Sequence, residues 1–122
     1  MGKKTPPFVN YPAWTTSRFF TFLRSALRQA WNRYPPKYEA LRRAETGRKT
    51  NPATGKLAKH YLCAECKHEF VAKEVQVDHK IDAGTLKSFE DVEQFVRNLF
   101  CSVDDLAVLC KQCHHNKTHN KQ

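Results

Sequence analysis

Cys63-Ala-Glu-Cys66, Val77-Asp78-His79 and Cys110-Lys-Gln-Cys113-His114 are the three stretches whose joint reading decides the fold. Each Cys-x-x-Cys makes a tight turn that aims two sulfurs at one ion. Two such turns complete a closed tetrahedral shell with metal–sulfur bonds of ~2.3 Å, so one structural zinc is expected. A single pair is shared with redox motifs, and the bland alternative is a set of free buried thiols. The intervening segment, 67–109, is longer than the ~15–20 residues of a simple zinc ribbon. Something is therefore inserted, and the insertion carries Asp78 and His79. Zinc would pin the two distant pairs together, so that Asp78, His79 and His114 can converge. A carboxylate and imidazoles in one place can hold a divalent cation and activate water.

Five cysteines, an odd number, argue against a disulfide framework and for reduced, metal-bound thiols. Cys101 has no partner at the right spacing and reads as a core residue beside Phe100. The chain has 122 residues and a formal charge of +9, unevenly spread. Residues 1–60 hold 13 Lys or Arg and 2 acids; residues 61–122 hold 8 and 10. A basic half beside a near-neutral half suits a polyanion such as nucleic acid, or is simply a solvated basic surface. No stretch reaches the ~18 apolar residues of a membrane span. The opening Met1-Gly-Lys-Lys-Thr-Pro-Pro is not followed by an apolar run, so no secretory signal is read. Gly2 hints at myristoylation, but Pro6 stands where Ser or Thr is wanted. A soluble, cytoplasmic protein is expected.

Along the chain, residues 1–13 contain Pro6, Pro7 and Pro12 and read as an irregular arm. Thr15, Thr16 or Ser17 can cap a helix to about Tyr34, with Phe19, Phe20, Leu23, Ala26, Leu27, Ala30, Trp31 and Tyr34 on its apolar face. Arg18 and Arg28 fall on the opposite face, as phosphate contacts or as solvated residues. Pro35-Pro36 stops that helix, and a short one is expected over Lys37–Thr46. The segment from Arg48 to Lys59 reads as a loop by its Asn-Pro and Thr-Gly steps. Arg48, Lys49, Lys56 and Lys59 make it a DNA clamp or a solvated linker. Two short strands around Glu69–Ala72 and Glu74–Val77 are expected to pair with each other. A helix follows over Ser88–Phe100, and another short one starts near Cys113.

Val77-Asp78-His79-Lys80-Ile81, followed by Leu106-Ala-Val-Leu109-Cys110-Lys-Gln-Cys113-His114-His-Asn-Lys117-Thr118, resembles the HNH endonucleases. The resemblance is closest to small phage-encoded proteins of that family with a four-cysteine zinc, and it covers about Cys63–Thr118. Phe89–Cys101 also resembles a helix of those proteins. The resemblance implies an α+β fold: a ββα-metal core braced by a four-cysteine zinc site, with an N-terminal helical extension. Residues 1–60 are then the basic arm, helices and loop, part of the same compact unit as the nuclease core at 61–122. The implied activity is metal-dependent hydrolysis of DNA phosphodiesters, with products bearing 5′-phosphate and 3′-hydroxyl ends. Nothing in the sequence reads as a dedicated base-reading module, so low sequence specificity is expected.

The implied roles run residue by residue. His79 is the general base; imidazole changes charge nearest neutral pH and can take a proton from water. Asp78 and His114 hold one catalytic divalent ion, Mg²⁺, Mn²⁺ or another transition ion. The middle Asn of the family name falls at Asp105, which when ionised accepts hydrogen bonds but cannot donate them. Asp105 can orient the base differently, or add negative charge near the metal. Lys117 can neutralise a phosphate. His115 and His119, one helical turn apart, bind metal or phosphate, or are merely exposed. The implied partners are DNA and other phage DNA-processing proteins, in the host cytoplasm. Two further readings stand beside this one: a non-catalytic zinc module that binds nucleic acid, and a protein-interaction finger.

Overall fold

The computed structural model describes the backbone of residues 6–119 and the side chains of 6–117. Helices and short strands are mixed, in small sheets and with a four-cysteine cluster. Among the described residues no helix is long and apolar enough to cross a membrane. The chain divides into two compact units. One takes the chain up to Tyr34 together with Ile81–Phe100; the other takes Pro35–Lys80 together with Cys101 onward.

In the first unit, β1 (Pro7–Phe8) and β2 (Tyr11–Thr15) form an antiparallel hairpin. The expected irregular arm is therefore partly strand. Its prolines permit this because the ribbon has only edges, where a missing N–H leaves no ladder bond unmade. Helix α1 (Thr16–Trp31) follows at once. Thr15 caps it, its hydroxyl oxygen accepting from the Arg18 N–H at 3.1 Å. Thr15→Ala is expected to cost about 1 kcal/mol, read from the denaturation midpoint. The helix ends at Trp31 rather than Tyr34. The N–H groups of Asn32, Arg33 and Tyr34 bond three residues back, at 3.1, 3.0 and 2.9 Å. This tightening precedes Pro35, which disfavours helical geometry in the residue before it.

The apolar face packs as its spacing requires, with Phe20 and Trp31 buried; Ala26 is an exception and is exposed. Phe8 stacks on Phe19 with ring centroids 3.9 Å apart. The expected helix at 88–100 is a 3-10 turn (Phe89–Asp91) running into α3 (Val92–Leu99). A capping box opens it, with the Asp91 carboxylate accepting from the Ser88 N–H at 3.3 Å. Phe95 and Leu99 are almost completely buried on its inner side.

The second unit opens with α2 (Pro35–Ala44). The two prolines begin this helix instead of preceding it, since first-turn N–H groups have no partner to lose. The expected loop at 48–59 is mostly strand. β3 (Glu45–Thr50) and β4 (Leu57–Leu62) pair antiparallel, and β5 (Glu69–Val71) adds to β4. The turn signals are real but mark only the tip. There Asn51 accepts from Gly55 at 2.7 Å through its carbonyl, and from the Ala53 N–H at 3.0 Å through its side chain. Gly47, at φ +122°, sits at the register shift opposite His60, a conformation that favours glycine.

The strands expected to pair with each other do not. β5 pairs with β4, whereas β6 (Val75–His79) pairs antiparallel with β7 (Leu106–Cys110). The turn at Ala72–Glu74 carries the chain into a second sheet. There the apolar β7 offers Val108 to Val77 and Cys110 to Val75. Helix α4 (Lys111–His119) leaves β7 with no intervening residue. The expected pairing of His115 with His119 falls on a side chain outside the described residues.

Candidate functional site

The first Cys pair sits on the turn after β4, and the second spans the junction of β7 and α4. The chain after Cys66 reverses through Lys67 at φ +64°. This closes the turn, with Lys67 N–H on the Cys63 carbonyl at 3.0 Å and Cys63 N–H on that of His68 at 2.9 Å. Main-chain N–H groups face the sulfurs: Cys110 N–H donates to Cys63 Sγ at 3.3 Å and Cys113 N–H to Cys110 Sγ at 3.4 Å. All four sulfurs lie within 4.8 Å of one another, and Cys66 Sγ is 4.0 Å from Cys110 Sγ. A tetrahedron with metal–sulfur bonds of ~2.3 Å has edges of about 3.8 Å. The cluster can therefore hold one metal ion. Leu109 and Phe70 pack around it. Cys101, the spare thiol, is raised in pKa by burial.

The electrostatics point the same way. Burial pushes the Cys63 thiol up, but the N–H groups of Cys110, Cys66 and Glu65 outweigh it and bring the thiol down to about 6. The neighbouring sulfur of Cys110, then burial, Cys63 and Cys66 push the Cys113 thiol up to about 12. At Cys66 the His68 N–H works downward, yet burial and the adjacent sulfurs leave that thiol raised. Without a cation, four sulfurs this close cannot all ionise. A metal ion that binds here displaces protons.

The junction of β7 and α4 also builds a second cluster. Asp78 and His79 are the last two residues of β6, opposite Ala107 and Leu106 of β7. Because α4 starts at Lys111, Cys113 and His114 fall on its first turn. His114 and Lys117 share a helix face at a spacing of three. Both reach Asp78: His114 Nε2 lies 3.5 Å from Oδ1, and the Lys117 ammonium donates to Oδ2. Lys117 also donates to the His79 carbonyl at 3.1 Å. The Asp78 side chain is only 15% exposed, so these contacts are partly shielded from water.

Two ligand atoms on one ion at ~2.1 Å stand about 3.0–3.4 Å apart, so Asp78 Oδ1 and His114 Nε2 fit a shared cation. Asp105 lies in the 3-10 turn (Val103–Asp105) before β7. It meets the chain after His79 through its main-chain carbonyl, which accepts from the Lys80 N–H at 2.8 Å. Its carboxylate faces the Ser102 hydroxyl at 3.5 Å.

The basic residues are more dispersed. On the β3–β4 hairpin Arg48 stands directly across from Lys59, and Lys56 is at the tip. Lys49 pairs with Glu69, whose pKa its hydrogen bond lowers, and Lys59 lies 3.8 Å from Glu45. Arg48 and Lys56 have no carboxylate partner among the described residues. Like charges directly across a ladder destabilise it, so the Arg48–Lys59 pair gains from an anion placed between them. In the first unit, the Arg18 guanidinium lies 4.6 Å over the Trp14 ring and Arg28 5.9 Å over Phe95. The structure thus gathers Asp78, His79, His114 and Lys117 beside the four cysteines, and leaves the hairpin cations on a separate ribbon. Sequence reasoning singled out Lys117 for phosphate and missed its hold on Asp78, which depends on a strand residue and a helix residue 39 positions apart meeting.

No protein-family model, curated protein or solved structure matches this chain.

Proposed function

We propose that this protein is a metal-dependent DNA endonuclease of the HNH type, with β6, β7 and α4 as its ββα-metal core and zinc in the four-cysteine cluster. One observation carries the reading: His114 Nε2 stands 3.5 Å from Asp78 Oδ1, at the strand end that also bears His79. Asp78 and His114 hold a divalent cation, Mg²⁺ or Mn²⁺. When bound, that ion neutralises phosphate charge and acts as a Lewis acid at the leaving oxygen. His79 takes a proton from water as the water oxygen bonds to phosphorus. The bond from phosphorus to the 3′ oxygen breaks, and that oxygen takes a proton from a solvent water, leaving 5′-phosphate and 3′-hydroxyl ends.

Lys117 holds the Asp78 carboxylate by one oxygen and the His79 main chain by its carbonyl, so both groups keep their orientation. The Asp105 carbonyl restrains the residue after His79, an orienting contact that needs no Asn side chain. Arg48, Lys56 and Lys59 on the hairpin, with Lys49, Arg18 and Arg28, attract backbone phosphates. Binding is then strongly salt-dependent and weakly sequence-specific. The setting that fits is a phage-encoded protein acting on DNA in the host cytoplasm, beside other phage DNA-processing proteins.

The chemistry is tested by sealing. Nicks made in a plasmid by the zinc-loaded protein with Mn²⁺ should be closed by DNA ligase, which requires 5′-phosphate and 3′-hydroxyl ends. Nicks that ligase leaves open contradict the mechanism.

One contact favours the second reading, a non-catalytic zinc module that binds nucleic acid. Lys117 gives Asp78 a cationic partner from the protein itself. Lys117→Met separates the two readings. As a positioning residue, its loss should slow cleavage about ten- to a hundredfold while leaving DNA affinity nearly unchanged. In a purely structural role its loss lowers the melting temperature, and there is no cleavage to slow.

A further inference from the structure

The first unit carries an exposed aromatic patch that the nuclease chemistry does not use. Tyr11 and Phe22 are each 54% exposed, far from the burial their rings would find in a core. Trp14 sits between them, edge-on to both, with ring centroids 5.7 Å from Tyr11 and 5.3 Å from Phe22. The Arg18 guanidinium lies 4.6 Å over the Trp14 ring. Residues 6–34, which make up the hairpin and α1, include Arg18, Arg24, Arg28 and Arg33 and no Asp or Glu. The patch therefore joins three aromatic rings and the Arg18 guanidinium, on elements without a carboxylate, while Arg24 and Arg28 lie over Phe95.

We infer that this patch binds unpaired bases of a DNA strand, so that the substrate contains a single-stranded stretch such as a flap, gap or bubble. The inference rests on the nucleic-acid reading above and specifies its substrate class. In a duplex each base face is covered by its neighbours, and the surface offers only edges and phosphates. An exposed ring reaches a base face there only by first unstacking a base step, at an energetic cost. An unpaired base has a free face, which stacks on an aromatic ring or on a guanidinium plane. Such stacking accepts any base, in keeping with weak sequence preference. The missing carboxylates favour a polyanion over a peptide as the occupant.

The test uses zinc-loaded His79→Ala protein without other divalent ions, and follows fluorescence anisotropy of labelled probes at fixed salt. The probes are a thymidine oligomer, an abasic oligomer of equal length, a blunt duplex and a Glu–Tyr copolymer. The thymidine strand should bind on the order of tenfold more tightly than the abasic strand. Phe22→Ala and Tyr11→Ala should each lose roughly tenfold on the thymidine strand and almost nothing on the abasic one, while Tyr11→Phe retains binding. Both rings are exposed, and unchanged melting curves establish that the variants fold. Equal affinity for the two strands, or equal losses on both, overturns the inference. So does tighter binding of the copolymer or of the duplex. No readout needs cleavage, so failure of the patch and failure of the nuclease reading are told apart: plasmid relaxation by the wild-type protein judges the second alone.

Discussion

Cys110→Ser is expected to unfold the unit that carries β6, β7 and α4. Cys110 is buried, and it sits where the last residue of β7 meets the first turn of α4. Serine offers neither a thiolate nor the N–H···S contact that Cys113 makes with Cys110. Apparent binding free energies of structural zinc reach ~10–16 kcal/mol, comparable to the ~5–15 kcal/mol that stabilises a whole domain. Losing one ligand of four is therefore enough to collapse the cooperative transition. Circular dichroism melting with a zinc assay measures it: the variant should bind much less metal and lose the transition, while Cys101→Ser keeps both. Loading should also release protons. Cys113 in the metal-free site holds its proton up to about 12, so the ion must displace it. Metal retention is then strongest at high pH and weakens as protons compete on acidification. Equal metal content in Cys110→Ser and wild type would remove the cluster from the account.

His79→Ala should reduce the cleavage rate by about 10²–10⁴ and leave DNA affinity unchanged. The side chain lies half-buried at the end of β6, outside the buried positions of that sheet, Val75, Leu106, Val108, Leu109 and Cys110, and a melting curve establishes that the variant folds. The folded variant thus isolates the proton transfer from the architecture. Single-turnover cleavage beside filter binding separates the two quantities. A variant that cuts at the wild-type rate assigns the base elsewhere.

The four cysteines could be read in the sequence because metal ligation imposes spacing: two sulfurs on one ion require a tight turn, and the turn requires two residues between them. Asp78 and His114 could be read as candidates for a related reason, since one ion shared by the two Cys pairs would bring their segments together, and Lys117 through the resemblance to the HNH motif. Their mutual distances could not. Those depend on β6 pairing with β7 across an insertion, and the spacing of β5 and β6 suggested instead that these two pair with each other. The hairpin at 45–62 was obscured by its charge. Arg48, Lys49 and Lys59 are poor strand formers, and their strand geometry comes from the ladder through His60 and Tyr61 to β5. The arm at 7–15 was obscured by its prolines, which edge positions tolerate. The patch of Tyr11 and Phe22 was hidden because Tyr11 lies in the segment expected to be an irregular arm and Phe22 falls off the apolar face of the expected helix.

The central claim is metal-dependent cleavage at Asp78, His79 and His114, and supercoiled plasmid tests it most directly. Zinc-loaded wild-type protein is incubated with Mg²⁺, with Mn²⁺ or with neither, beside folded His79→Ala. Relaxation that needs the added ion and is lost in the variant is the result this account predicts. Plasmid left supercoiled by folded, zinc-loaded wild type under every ion, or relaxed equally by His79→Ala, would contradict it.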